Sequence, residues 1–419
     1  MSRTILFLSL LLLSALFLPR PLLAAEAEVS IADPPVSNRF LVRADDPLAI
    51  AARDGQSGAR IVMSLPQINA VVLEMEAATE AGHSFAVAAA GNAVFPDVVT
   101  LPSAEMTNPI LASGGQWAPQ RIQAPEAWNQ SDGRDVIVAI VDSGIDLNHP
   151  DLRDRLVPGQ NFWEDNAEPT DRCGHGTHVA GIVAASAYNG EGVTGIAHGA
   201  KLMPVKVMAD ECYGTYSRMI AGILYAADAG ARVIVITSGA YIDSPLLHDA
   251  VIYAQQKGVL MVAAAGNDGT DRPFYPAAYD EVIAVAGADQ WDGSYYRTNH
   301  GPHIDIAAPA VEIISSFWAD GQSTYAIMTG TSMAAPHVAG TAALALALDP
   351  ALSLDDLVDV LFTGAEDRGD LGYDLYFGHG RTNAWLTVQG VLPEGASNGV
   401  DGVPSGQEFV YLPALMGGQ

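Results

Sequence analysis

Positive charge is what this chain lacks. Its 419 residues hold 20 Lys and Arg against 48 Asp and Glu, a formal net charge of −28. Lysine is almost absent, and arginine carries most of the positive charge. Nucleic-acid binding needs a basic face, so that class is excluded. The acidity suits an exported, self-repelling protein or a salty habitat, and it offers many carboxylates to a hard cation such as calcium. Long apolar runs are also scarce. The run "ILFLSLLLLSALFL" follows the single Arg of "MSRT" and leads into small residues in "PRPLLAAEAE". That is the layout of an export signal, expected over residues 1–25, with an uncleaved anchor as the alternative. It is short for a membrane span, and no later segment reads as one. Cysteine is nearly missing. An oxidising destination makes Cys173 and Cys212 a candidate disulfide rather than a cytosolic metal pair.

Two regions of different pattern follow. Residues 28–107 read as a small α+β unit. Within it, "RFLVRADD" and "ARIVMSLPQINAVVLEM" are strands, and "PLAIAARDG" between them is helix-like. The stretch "PSAEMTNPILASGGQ" has the turn residues of a linker. The larger region is expected over 108–390, and its pattern is clear from about Gln116. There "DVIVAIVDSG", "KLMPVKVM", "ARVIVITSG", "VLMVAAAGN" and "EVIAVAGAD" are charge-poor runs that end in polar residues. Between them "YSRMIAGILYAADAG" and "PLLHDAVIYAQQKG" read as helices closed by Gly. Bare strands alternating with helices predict an α/β fold, a doubly wound, mostly parallel sheet covered on both faces. Chemistry in such a sheet sits at the carboxyl ends of the strands. Residues 391–419 begin Gly-, Ser- and Pro-rich and read as a flexible tail.

The stretch "DRCGHGTHVAG" places Cys173, His175 and His178 close together. By itself it allows a metal cluster, a reactive thiol beside a base, or one catalytic His among structural neighbours. Residues elsewhere bear on the choice. Asp142 ends the strand "VAIVD". Asn267 ends "MVAAAGN". Ser332 opens a long, almost uncharged helix behind Gly330 and Thr331, with Pro336 placed in its first turn. Such a helix must be buried, and a serine at its start has backbone N–H groups and the dipole beside it. A serine nucleophile needs a base, the base needs an orienting carboxylate, and the developing oxyanion needs donors. Ser332, His175, Asp142 and Asn267 supply those four roles.

In chain order, "DSGID" with "HPDL", "GHGTHVAG" and "GTSMAAPHVAG" resemble the three signatures of the subtilases, the subtilisin-like serine proteases. The resemblance covers roughly residues 116–390. It implies an Asp142–His175–Ser332 triad with Asn267 in the oxyanion hole, and a secreted (extracellular or periplasmic) endopeptidase, expected as a monomer acting on polypeptides. It also implies that the first unit is a pro-segment, which assists folding and blocks the cleft until it is cleaved off. His178 is then a packed, hydrogen-bonded helix residue, and His337 likewise. Cys212 falls in the loop lining the substrate cleft, with Tyr213 and Gly214, near the His loop, which favours a Cys173–Cys212 bridge.

The resemblance further implies structural calcium. Asp151 and the loop "SAYNGEGVTGIA" would bind it, through Asn189 and carbonyls of Glu191 and Val193. One departure concerns specificity. Where subtilases have Ser-Leu-Gly-Gly this chain has Thr237, Ser238, Gly239 and Ala240, on the strand that pairs with substrate. Phe274 aligns with the base of the first pocket and would shorten it. The expected preference is for small or medium apolar side chains before the cleaved bond. Esterase chemistry with a nucleophile elbow is excluded, because "GTSMA" lacks the second Gly of G-x-S-x-G. Peptide ligation by the same triad would need water exclusion that nothing in the sequence suggests. A non-catalytic binding member has only the altered Thr-Ser-Gly-Ala strand in its favour.

Overall fold

The computed structural model describes residues 39–43, 59–75, 93–96, 99–102, 105–106, 115–187, 189 and 192–393. The expected export signal, the helix-like stretch at 47–55 and the tail from 394 lie outside the described residues. Four antiparallel strands, in the order β2-β3-β1-β4, make a first sheet: β1 (Arg39–Arg43), β2 (Ala59–Leu65), β3 (Ala70–Met75) and β4 (Ala93–Pro96). A 3₁₀ turn at Pro66–Ile68 joins β2 to β3, and Asn69 closes it in the left-handed conformation that Asn tolerates. The sheet is two-sided in period 2. Leu41, Leu65, Ala70 and Val72 join the apolar core of the rest of the protein, while Val42, Val71 and Leu73 cluster on the opposite face. Two short strands follow, β5 (Val99–Pro102) and β6 (Glu105–Met106).

Beyond two short helices, α1 (Ala118–Arg121) and α2 (Ala124–Ala127), lies a seven-stranded parallel sheet. Its strands are β7 (Ile137–Asp142), β8 (Gln160–Asn161), β9 (Lys201–Lys206), β11 (Val233–Ile236), β13 (Leu260–Ala264), β14 (Val282–Ala288) and β15 (Ile306–Pro309). A two-residue strand, β10 (Gly214–Thr215), precedes β11, and another, β12 (Ser238–Gly239), follows it. The order β15-β14-β13-β11-β7-β9-β8 starts in the middle and winds outward both ways. The order reverses between β7 and β11, where a site is expected at the carboxyl ends. Residues alternate across the sheet: Val138 and Ile140 face one core cluster, Ala139 and Val141 the other. The second cluster includes α4 (Tyr216–Asp228) and α5 (Pro245–Gln256).

The first cluster includes α3 (His175–Ala184), α6 (Thr331–Leu348), α7 (Leu354–Thr363) and α8 (Ala384–Val391). Helix α6 has the length and composition of a membrane span, with a mean hydropathy of 1.3, contrary to the sequence reading that no late segment does. It is 89% buried inside the protein instead, as a helix apolar on all sides must be when other elements wrap it. Pro336 lies beyond the first turn of α6, deeper than the sequence suggested, so its missing N–H leaves the Ser332 carbonyl without that helical bond. A hairpin that the sequence reading did not anticipate, β16 (Ile313–Ala319) with β17 (Gln322–Thr329), packs on α3 and leads into α6.

Candidate active site

Asp142 is the last residue of β7, and Thr237 directly follows β11, so both stand where the strand order reverses. Asp142 is fully buried. Its carboxylate accepts from the Ser143 N–H at 2.7 Å and from the Thr237 hydroxyl. Opposite it stands His175, the first residue of α3, with Nδ1 at 2.8 and 3.0 Å from the two carboxylate oxygens. Burial alone would lower the His175 pKa, but the charge and hydrogen bond of Asp142 outweigh it and hold it above the ordinary imidazole value. Burial alone would likewise raise Asp142. The His175 charge, with the bonds from His175, Thr237 and Ser143, keeps it below the usual carboxylate range. The other ring nitrogen of His175, Nε2, is buried and has no partner among the described residues.

The entry to α3 is built to present that ring. Gly174 sits at φ +92°, and a side chain there would come within 2.5 Å of the Phe317 ring, so only Gly fits. Buried Asp171, which sequence reasoning missed, accepts from the N–H groups of Cys173, Gly174 and Thr177, each at 2.9 Å. It also takes the hydroxyls of Ser143 and Thr177. Its signal was an Asp shortly ahead of a helix whose N-cap, Gly174, has no side chain to accept from the first turn. Cys173 is bridged to Cys212, with Cα atoms 5.6 Å apart, which ties this turn to the loop before β10.

Ser332 lies in the first turn of α6 and is fully buried. Its hydroxyl donates to the Thr237 carbonyl at 3.1 Å. Thr237 therefore touches both Asp142 and Ser332, and the structure brings carboxylate, imidazole and hydroxyl together around it. By its place in the first turn, the Ser332 N–H has no helical acceptor. Asn267 stands beside that turn, and its side-chain oxygen accepts from the Thr331 N–H at 2.9 Å. That bond turns the carboxamide NH₂ to the other side, available as a donor. Asn299, also missed, holds the adjoining loop: it donates to the Ala265 carbonyl at 2.9 Å and accepts from Asp268 N–H at 3.0 Å.

A serine hydroxyl, an imidazole on a buried carboxylate, and amide donors at a helix start are the requirements of acyl transfer. The subtilase family model matches residues 133–380. This chain belongs to the subtilase family. It is a subtilisin-like serine endopeptidase. It is 41% identical to thermitase of Thermoactinomyces vulgaris over 279 residues, which span 66% of this chain and 97% of that protein. It is 39% identical to subtilisin DY of Bacillus licheniformis over 261 residues, 61% of this chain and 92% of that protein. Among solved structures it is similar to fervidolysin of Fervidobacterium pennivorans, a keratinolytic enzyme related to subtilisin, with a TM-score of 0.77 and 28% identity. That similarity covers 88% of this chain and 63% of fervidolysin's.

The remaining expected residues of this subtilase fall in three places. Gly214 and Thr215 pair with one edge of β5, and Ser238 and Gly239 with the other, so β5 lies between them as the middle strand of three. Tyr213, 39% exposed, meets Trp163 edge-on at 5.3 Å. Ala240 bridges to Tyr275, and its methyl joins the core. The Phe274 ring fills the space between Gly239 and Gly266. A Cβ on Gly239 would come 2.8 Å from its Cε1, and one on Gly266 would come 3.2 Å from its Cγ.

Asp151 is fully buried, with neutral partners: the Asn189 amide at 2.7 Å and the Val193 N–H at 3.0 Å. Glu191 lies outside the described residues. Val193 offers its N–H to Asp151. Among the described residues no three His, Cys, Asp or Glu side chains gather as a ligand set. The candidate donors among the described residues are the side-chain oxygens of Asp151 and Asn189 and the carbonyl of Val193, all-oxygen donors that suit Ca²⁺ better than a transition metal. His178 is no ligand. Its Nε2 lies 3.1 Å from the Ile313 and Ala326 carbonyls, and burial pushes its pKa down to about 3. His337 is similar, bonded to the Met333 carbonyl, with its pKa pushed by burial to about 4.

Proposed function

We propose that this enzyme is exported as a pre-pro-form and cleaves its own pro-segment before hydrolysing other polypeptides. Ser332 attacks the peptide carbonyl, His175 Nε2 takes its proton, and Asp142 fixes the tautomer and steadies the imidazolium. Asn267 Nδ2 and the Ser332 N–H hold the oxyanion. The observation that carries the assignment is the junction at Thr237, whose hydroxyl reaches Asp142 while its carbonyl accepts from Ser332. The apo hydroxyl rests on that carbonyl; a turn about the Ser332 Cα–Cβ bond redirects it to His175, as catalytic contacts commonly tighten with substrate.

The pro-segment role is supported by the first sheet, which lends one apolar face to the core shared by α4 and α5, and by β5, which occupies the strand position of a substrate between β10 and β12. Phe274 supports a preference for small or medium apolar side chains before the cleaved bond. Faster cleavage after Phe or Tyr than after Ala, in a matched peptide series, would overturn that preference. Calcium would be held by Asp151 and Asn189 as a structural ion that brings their loop together.

The test compares the wild type with Ser332→Ala. The wild type sheds its pro-segment and digests casein. The variant stays full length and leaves casein intact. A wild type that keeps its pro-segment as fully as the variant, with casein untouched, sinks the reading.

A further inference from the structure

We infer that His178 is a positioning residue: its single imidazole N–H, forked between the two strands of the β16–β17 hairpin, sets the reach from His175 to Ser332. The inference rests on the triad reading above. His175 opens α3 and Ser332 stands in the first turn of α6, so base and nucleophile are carried by separate elements. Asp142 and the disulfide hold the His175 side. A different set of contacts holds α3 against the strand that leads into Ser332, and His178 is at its centre.

Helix α3 lies tightly on the hairpin. The Phe317 ring lies against Gly174, and a Cβ on Gly181 would collide with the hydroxyls of Ser315 and Ser316. Apolar contact is non-directional; hydrogen bonds add the direction that fixes a register. His178 is fully buried, one turn beyond His175 on α3. Its Nε2 lies 3.1 Å from the Ile313 carbonyl of β16 and 3.1 Å from the Ala326 carbonyl of β17. Ser315 of β16 answers, donating its hydroxyl to the backbone carbonyl of His178 at 2.7 Å. β17 ends at Thr329, directly before Gly330 and α6. The imidazole therefore joins the helix of the base to the strand of the nucleophile.

The ring has the chemistry of a tether, not of an acid or base. Both partners are carbonyls, which only accept, so Nε2 carries the proton and the tautomer is fixed. The titratable groups that bear on the ring are His175 and His337, and burial keeps it neutral. The other nitrogen, Nδ1, is a buried acceptor with no partner among the described residues. An aliphatic side chain would fill the space without burying a bare nitrogen, so packing alone does not account for a histidine here. Local departures of this kind are where function is expected. A displacement of about 1 Å at the reacting groups costs on the order of 10²-fold in rate, and the contact of α3 with β17 sets that distance.

The test uses the full enzyme, with concentrations set by active-site titration so that any unfolded fraction drops out. His178→Leu keeps an apolar body and removes the donor; its kcat falls by about 10²-fold while KM is nearly unchanged. His178→Gln carries an amide N–H to the place of Nε2 and regains most of that loss. Ser315→Ala removes the answering bond and lowers kcat by less. The acid limb of kcat/KM, which belongs to His175, stays in place in all three, because His178 carries no charge there. A His178→Leu enzyme with a lower Tm but wild-type kcat per titrated site makes the residue structural only and overturns the inference. So does His178→Gln no faster than His178→Leu, a loss confined to KM, or a moved acid limb. Where His178→Leu yields no titratable enzyme, Ser315→Ala decides, and a wild-type kcat there overturns the inference. Each of these outcomes leaves the triad intact. A wild type that does not digest casein, or a Ser332→Ala variant that does, overturns the triad reading and this inference with it.

Discussion

His175 shows how one buried pair sets chemistry and pH response together. The ring must be neutral to accept the Ser332 proton. As pH falls through the His175 pKa, the ring charges and the base is lost. Asp142 holds that pKa above the ordinary value, so the acid limb of kcat/KM lies above about 6.5, the value of a free imidazole. In Asp142→Asn the raising charge disappears while the burial stays, so the limb moves to lower pH. Turnover also falls by about 10⁴-fold, because the wrong tautomer is no longer penalised. A pH–rate profile of the residual activity checks both, and an unmoved limb would count against Asp142 as the source of the shift. Asn267 acts on a different quantity. In the proposed oxyanion hole its donor is needed only when the oxyanion forms, so Asn267→Ala lowers kcat by about 10²–10³ and leaves KM nearly unchanged. Steady-state kinetics on a peptide substrate separate the two, and a loss confined to KM would place Asn267 in ground-state binding instead.

At the scale of elements, the site is a set of ends: β7 ends in Asp142, α3 begins at His175, α6 begins beside Ser332. Ends fray unless tied, and the Cys173–Cys212 bridge ties the turn before α3 to the loop before β10. It spans 39 residues of sequence, for which the loop-entropy model gives up to about 4 kcal/mol. Titration of the unfolded, unreduced protein should find no free thiol, and two free thiols would remove the bridge from the account. Cys212→Ser should lower Tm and, with β10 as the proposed edge of the substrate cleft, also raise KM. The ends were legible because charge-free strands running into Asp, Asn or Gly, and helices closed by Gly, are strong local signals. The β16–β17 hairpin was not read, although Asp320-Gly321 at its tip is a turn signal. Its strands carry apolar residues on both faces, since one side packs on α3, so no period stood out. Asp171 and Asn299 were missed for a related reason. Asn299 serves through bonds to backbone about 30 residues away in sequence, Asp171 through bonds to the turn that follows it and to Ser143, and a lone Asp or Asn in a loop looks like any turn residue.

Over the whole molecule the scarce cations are concentrated. Arg121, Arg368 and Arg381 converge on Asp292, and Arg381, almost wholly buried, also pairs with Glu366 at 2.7 Å. Lys206, also buried, bonds the Ser143 carbonyl and Asp210. Asp151 has neutral partners, in a protein whose net charge of −28 already favours cation uptake. A calcium ion at 100 times its dissociation constant would stabilise the fold by about 2.7 kcal/mol. For a domain of this size that is roughly 4–5 °C in Tm. A chelator should therefore lower Tm by several degrees, excess calcium should restore it, and magnesium, which keeps its waters, should do so poorly. Asp151→Asn should start from a lower Tm and lose the chelator response. If the wild type melts at the same temperature with and without chelator, the buried carboxylate is held by its amide donors alone, and structural calcium fails as the reason for its burial.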